Sequence, residues 1–507
     1  MASDLLPLAV ALPLLGAVLA VIAGRSAAPA AGKDAPPNVT SRLQVVAPQP
    51  LLTAIGLITS ALTTGIVLAI TAAVWSDGSV RLELGGWGAP LGIAMQVDGL
   101  SAALLAMANL VALGTSVYAT GYFVSGDRPL HFWPLWLLLW AALNGLFLSA
   151  DLFNLYVMLE LVGLTAAALG ALTGSREAVS ANLRYLLVGL LGSMTYLLGV
   201  ALIYTAYGSM DIAELSQRIR PDPLAAAALV LMTVGLALKS ALFPLHFWLP
   251  PAHANAPAPV SAALSALVVK AAFYLILRLW LDLFEPVVTP GAAVLLGLLG
   301  SAAIVWGSWR ALRAERLKLL AAYSTVAQIG YLFLFFPLLA ATPAGPGRDN
   351  LFAALVLMAI THGFAKAGFF LAAGLVQQNA GHDRIDELGG AAQTLPATTF
   401  TIAIAGAALI GLPPSGSFIG KWLLMQGAIE TGQWWWIIVI VIGTLLAAAY
   451  IFRVLSRAFG LEPTPLRFVT DARAEIPALM LALVSVAALG LASGPLWTLL
   501  GFAGGPL

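Results

Sequence analysis

Five ionisable residues lie inside long apolar stretches: Glu160 in DLFNLYVMLELVGL, Lys239 in VGLALKSALFPLHFWLPP, Lys270 in SALVVKAAFYLILRL, Lys366 in THGFAKAGFFLAAGL and Lys421 in GLPPSGSFIGKWLLMQ. A charge at the centre of a bilayer costs about 3 kcal/mol on insertion scales, so such residues are functional candidates by default. His253 and His362 join them, as groups that titrate near neutral pH. Taken singly, a lysine in such a place snorkels to an interface or makes a fixed ion pair about as often as it functions. Taken together, four cations face one acid. Permanently charged lysines would need acidic partners that these stretches lack. Some must therefore be neutral part of the time, which desolvation favours, and a lysine that alternates between protonation states can pass a proton on.

The elements that must hold these residues follow from composition. Charged residues make up 9% of the 507 and hydrophobic residues 60%, against about 25% charged in soluble proteins. So few charges cannot build a water-facing surface, which excludes soluble enzymes, nucleic-acid binders and disordered tails. The net charge of +1 carries no message about acidic partners, and the absence of cysteine removes disulfides, iron–sulfur ligation and thiol chemistry. No cofactor and no metal centre are expected.

A helix needs about 20 apolar residues to cross a hydrocarbon core of about 30 Å. Fourteen such runs occur, near residues 4–24, 51–75, 97–119, 130–149, 152–173, 183–206, 224–255, 259–281, 291–312, 317–340, 351–376, 396–429, 434–458 and 476–500. Barrel strands would alternate apolar and polar residues, whereas LLVGLLGSMTYLLGVALIY is apolar on every side. The expected fold is an all-α integral membrane bundle.

The first run has no Lys or Arg before it and is read as a retained span, although AGRSAAPAAG behind it resembles a cleavage site. Fifteen loop cations follow odd-numbered spans, among them Arg25, Lys33, Arg42, Arg316, Lys318 and Arg467. Five follow even-numbered spans: Arg81, Arg218, Arg220, Arg278 and Arg348. By the positive-inside rule the odd loops face the cytoplasm and both termini lie outside. Trp309, Trp422 and Trp434 to Trp436 suit the headgroup layer. The glycine-rich stretch RLELGGWGAPLGIAMQVDG reads as an external hairpin over the mouth of the bundle.

Two spans are interrupted. The seventh carries Pro244, Pro250, Pro251, Pro257 and Pro259 beyond Lys239, and the twelfth carries Gly411, Pro413, Pro414 and Gly416 before Lys421. In transporters, broken helices mark the ion path. Two breaks with a lysine beside each, five spans apart, point to a repeat: spans four to eight and nine to thirteen as two five-helix units. An odd helix number makes the second unit inverted. The implied regions are a three-span N-terminal part with the hairpin (1–125), a first repeat (126–285), an inverted second repeat (286–460) and a C-terminal span (461–507).

From about residue 95 to 460 the chain resembles the antiporter-like subunits shared by complex I, membrane-bound hydrogenases and Mrp-type multisubunit cation/proton antiporters. The resemblance rests on the Glu160 span, LKSALFPLHFWLPPAHANAPAPVSAALSALVVKAAFYLILR, LLAAYSTVAQIGYL and THGFAKAGFF. LELGGWGAPLGIAMQVDGLSA and DLFNLYVMLELVGL look most like the D-type component of Mrp antiporters, and a lysine at 421 agrees with it and with the quinone-proximal subunit of complex I. The resemblance implies that Glu160 and Lys239 are the coupled pair of a first half-channel and Lys270 a central relay. It makes His362 and Lys366 a bridge, Lys421 the terminal group of a second half-channel, and His253 the histidine of the broken-helix loop. Arg184 departs modestly, relatives often having lysine there.

The expected function is proton translocation as part of a monovalent cation (Na+)/proton antiporter, by a transport subunit with no chemistry of its own, in a bacterial or archaeal cytoplasmic membrane. Expected partners are other hydrophobic subunits and lipid. Sodium prefers oxygen ligands, and Glu160 with hydroxyls such as Ser240, Ser265, Ser324 and Thr325 makes a thin site. Protons are therefore assigned to this chain, and sodium, if carried, to another subunit. The competing readings are a redox-driven pump subunit of a quinone oxidoreductase or hydrogenase, an energising subunit for inorganic carbon uptake, and a non-transporting scaffold.

Overall fold

The computed structural model describes residues 2–26, 49–89, 92–123, 128–460 and 471–502. Lys33, Arg42, Arg467 and the small residues 27–32 lie outside them. The described chain runs α1 (Ala2–Ser26), α2 (Gln49–Asp77), β1 (Val80–Glu83), β2 (Ala94–Val97), α3 (Gly99–Tyr122), α4 (Arg128–Leu148), α5 (Leu152–Gly170), α6 (Arg176–Tyr207) and α7 (Ile212–Arg218). It continues through α8 (Pro223–Lys239), α9 (Leu249–Asn255), α10 (Ala258–Leu283), α11 (Pro290–Leu312), α12 (Leu317–Ala341), α13 (Pro346–Ala380), α14 (Pro396–Ile410), α15 (Gly416–Glu430), α16 (Trp435–Ala458) and α17 (Ala472–Leu491). Twelve of these helices are long and apolar enough to cross a membrane. The seventh and twelfth expected spans are instead divided, as α8 with α9 and α14 with α15, in keeping with their Pro and Gly content.

Many helices start at a polar residue whose side chain takes up an otherwise orphaned N–H. Asp98, Asp151, Ser175, Asp222, Thr289 and Ser415 each accept from the N–H three residues on. The expected hairpin is present: β1 pairs antiparallel with β2, Val80 opposite Val97 and Glu83 opposite Ala94. Ala150 N–H donates to Ala94 O at 3.1 Å, and Arg81 pairs with Asp211 at 2.6 Å. The hairpin is thus fastened to the α4–α5 junction and to the segment before α7.

At the centre stand α10, α12 and α13, buried along almost all of their apolar length. They carry Lys270, the Ser324–Thr325–Gln328 cluster, and His362 with Lys366. Close helix approach elsewhere depends on glycine. A Cβ on Gly235 of α8 would stand 2.3 Å from Gly192 O of α6, and one on Gly330 of α12 would stand 2.4 Å from Gly300 O of α11. The tryptophans divide: Trp309, Trp422, Trp434 and Trp435 are exposed, whereas Trp436 is 1% exposed. It packs where Gly297 leaves room, so it belongs to the core and not to the headgroup layer.

The two breaks share one backbone course. α8 ends at Lys239, and Ala241 then takes a positive φ of 57°, followed two residues later by the cis Phe243–Pro244 bond. α14 ends at Ile410, and Gly411 takes a φ of 84°, followed two residues later by the cis Pro413–Pro414 bond. Leu242 N–H donates to Ala237 O and Leu412 N–H to Ala407 O, both at 3.0 Å. Pro244 and Pro414 therefore lie at matching positions. Pro250 and Pro251 stand in the first turn of α9, where a missing N–H costs nothing.

Candidate functional site

At the first break, Glu160 of α5 and Lys239 of α8 approach each other, Nζ to Oε1 3.4 Å, and Lys239 also donates to Leu159 O at 3.3 Å. Their side chains are 16% and 8% exposed. Around them lies a cavity of about 20 Å³, lined also by Gly163, Tyr185, Gly189 and Val268, space for roughly one water. Glu160 is the one acid paired with the ammonium among the described residues. Attraction of such a pair is about 4 kcal/mol at an effective dielectric near 20, before desolvation is subtracted. Ser240 turns back to Ala237 O at 3.2 Å, within its own turn.

Lys270 is 1% exposed and donates to Ser265 O at 2.9 Å. Ser265 lies in a π-helical turn, Leu264–Val268. Such turns shift the hydrogen-bond register and occur often at functional sites. The Ser265 hydroxyl meets that of Thr325 at 2.7 Å, joining α10 to α12. One turn apart on α13 come His362 and Lys366, and Lys270 acts electrostatically on both. Lys366 donates to Ala321 O at 2.8 Å and to Ser324 Oγ. His253, fully buried on α9, stacks on Phe370 of α13, ring centroids 5.0 Å apart. The side-chain nitrogens of His253 and His362 have no hydrogen-bond partner among the described residues.

At the second break Lys421 reaches back from α15 to the end of α14. It donates to Ile410 O at 2.8 Å and Thr444 Oγ1 at 3.0 Å, and sits 4.3 Å from the centre of the Tyr331 ring. No acid pairs with it among the described residues. All six expected relay residues therefore lie in the bundle, four of them on its three central helices or against them, with Lys239 and Lys421 at the two breaks.

Residues 149–447, more than half of the chain, match the family model described as NADH:quinone oxidoreductase/Mrp antiporter, transmembrane region. The chain belongs to this family. It is 37% identical to the N-type component of NADH-quinone oxidoreductase from Desulforudis audaxviator, over 82% of this chain and 84% of that one. It is 27% identical to the D-type component of the Na(+)/H(+) antiporter from Alkalihalophilus pseudofirmus, over 86% and 85%. A chain of the Mrp complex from Dietzia superposes with a TM-score of 0.84 at 26% identity, covering 99% of this chain and 96% of that one. The chain is thus a multi-pass integral membrane protein whose relatives include components of both antiporters and respiratory complexes.

Some polar residues of this family member escape a reading of spans and loops. Lys318, counted among the loop cations, is 2% exposed. Its ammonium donates to Ala256 O in the α9–α10 connection, and its charge, like that of Lys366, acts on His253. Arg316 beside it pairs with Asp383 at 2.8 Å and donates to Ala254 O at 3.0 Å. Gln328 donates to Leu409 O at 2.7 Å, taking a second free carbonyl at the end of α14. Its counterpart is Trp248, whose indole N–H donates to Leu238 O at 2.9 Å. A buried lysine one residue into a helix and an amide on an apolar helix are the only traces these leave in sequence.

Proposed function

We propose that this chain carries protons through the membrane as one component of a multisubunit monovalent cation/proton antiporter. The observation that carries the reading is the Glu160–Lys239 pair: one carboxylate within 3.4 Å of one of several buried amines. While Glu160 is near, the ammonium form of Lys239 is held. When Glu160 moves off, that attraction is lost and the proton passes to Lys270, on through His362 and Lys366, and out at Lys421. Each transfer breaks an N–H bond on one amine or imidazole and makes one on the next. The family membership and the Mrp likeness over nearly the whole chain support this reading, as do the alike courses of the two breaks, which fit two half-channels related by inversion. Ser265, Thr325 and Ser324 bridge the central helices as hydroxyl steps, and His253 with Lys318 lies toward the odd-loop face, which the cation count assigns to the cytoplasm.

Glu160→Ala and Lys239→Ala are expected to abolish proton transport in everted membrane vesicles while the chain still assembles. Full transport in both would overturn the reading. Sodium, if moved, crosses through a partner chain, and sodium bound beside Lys239 would contradict this. A second reading, the same proton path driven by quinone-linked redox chemistry in partner chains, is favoured by the 37% identity to the quinone oxidoreductase relative. Copurification decides between them: hydrophobic antiporter chains alone support the first, an iron–sulfur protein the second.

A further inference from the structure

A cavity of about 300 Å³ opens at the hairpin face, far larger than the space at Lys239. Gln96, Asp98, Ser149, Ser216, Tyr274 and Arg278 are among its lining residues, and exposed Ala213 and Asp282 stand at its rim. Part of its wall is a stripe of α10, Tyr274, Arg278 and Asp282, and Lys270, four residues before Tyr274, lies on the same helix face. Arg278, counted among the loop cations, is only 16% exposed and is held three ways. It donates to Asp98 at the start of α3, to Asp282 at 2.8 Å and to the Tyr274 hydroxyl at 3.1 Å. One turn deeper, Lys270 borders a second small space lined by Leu100, Leu104, Phe273, Leu277 and Leu355. Along this face of α10, Tyr274 and Arg278 thus separate Lys270 from the chamber's rim at Asp282.

A guanidinium suits a barrier at this point. It does not lose its proton and has no acceptor, so it cannot relay a proton itself. Its two carboxylate partners lie on different elements. Letting go of Asp98 leaves the pair with Asp282 on its own helix intact, so opening gives up one ion pair and not both. Burial alone would push the Asp98 carboxyl up, but Arg278 and Ser101 hold it below its ordinary value.

We propose that this chamber is an aqueous vestibule through which Lys270 exchanges protons with the hairpin side of the membrane, gated by Arg278 held on Asp98. In the open state the Lys270 ammonium gives one proton to vestibule water, leaving a neutral amine that Lys239 reprotonates when Glu160 moves off. This rests on the reading of Lys270 as a proton site and adds an outlet separate from Lys421.

The test is passive proton leak in vesicles holding the intact complex. Arg278→Gln is expected to speed the decay of an imposed pH gradient about tenfold, equivalent to about 1.4 kcal/mol of closing free energy. Asp98→Asn keeps a good helix cap and the Arg278–Asp282 pair, and is expected to leak in the same sense but less. Adding Lys270→Met to either should abolish the leak. Because the chain has no cysteine, Ser216→Cys reports access directly: an impermeant thiol reagent on the hairpin side should label it. Wild-type gradient decay in both gate variants at normal chain levels, leak that survives Lys270→Met, or an unlabelled Ser216→Cys would overturn the proposal. Transport by Lys270→Met alone tests the underlying proton reading separately.

Discussion

The two broken helices solve one problem with different partners. At the first, Lys239 faces a side-chain carboxylate on a neighbouring helix, 3.4 Å away. At the second, Lys421 faces a backbone carbonyl, a hydroxyl and an aromatic ring. A carboxylate on its own helix can move relative to the amine and can itself be protonated. Carbonyls at a helix end do neither. On the proposed reading, the first site changes the proton affinity of its lysine, and the second receives a proton and lets it leave.

The largest expected break in this comparison is Lys239→Met. It strands the Glu160 carboxylate, which should abolish transport and cost about 3 kcal/mol of stability, seen as lower chain levels and earlier thermal unfolding of the complex. Adding Glu160→Gln should restore stability but not transport. Next comes Lys421→Arg, which keeps a cation on the carbonyls but one that does not deprotonate. Assembly should be normal and gradient-driven transport should fall at least about tenfold. Wild-type transport by this variant would reduce the second break to a structural role.

Smaller effects test the acceptors. Gln328→Leu frees Leu409 O and is expected to lower stability by about 1–3 kcal/mol in thermal unfolding of the purified complex, whereas Trp248→Phe leaves Leu238 O its bond from Ala241 N–H and should cost less. Only Gln328→Leu should also slow transport, because its carbonyl adjoins the one that holds Lys421. Smallest is the pair of positive-φ residues. Ala241→Gly should stabilise by about 1 kcal/mol, since a Cβ in this conformation is unfavourable. Gly411→Ala should destabilise by a similar or larger amount, its Cβ meeting Lys421 Cδ at 3.0 Å. Shifts of the same sign in both would mean that the breaks are not alike.

What sequence discloses depends on contrast. Glu160 and the four lysines are legible because apolar neighbours surround each, and both breaks because Pro and Gly interrupt otherwise continuous spans. Lys318 and Arg278 read as loop cations because each lies close to a span boundary. Their burial comes from Ala256 and Asp98, contacts across 62 and 180 residues that no local window contains. Trp436 sits in a run of three tryptophans, and only the gap above Gly297 separates it from its exposed neighbours. The hairpin is legible from glycine and alternation, but not that Asp211 fastens it.

The end of α14 gives the second lysine an unusual kind of counter-charge. A helix C-terminus carries about half a negative charge, spread over its free carbonyls. It belongs to the main chain, so no change of one side chain can delete it and no drop in pH can neutralise it. Loss-of-function substitutions at the first break can strike either member of the pair. At the second no substitution can remove the counter-charge itself; they act through the lysine, through neighbours such as Gln328 and Thr444, or through residues such as Gly411 that set the course of the backbone.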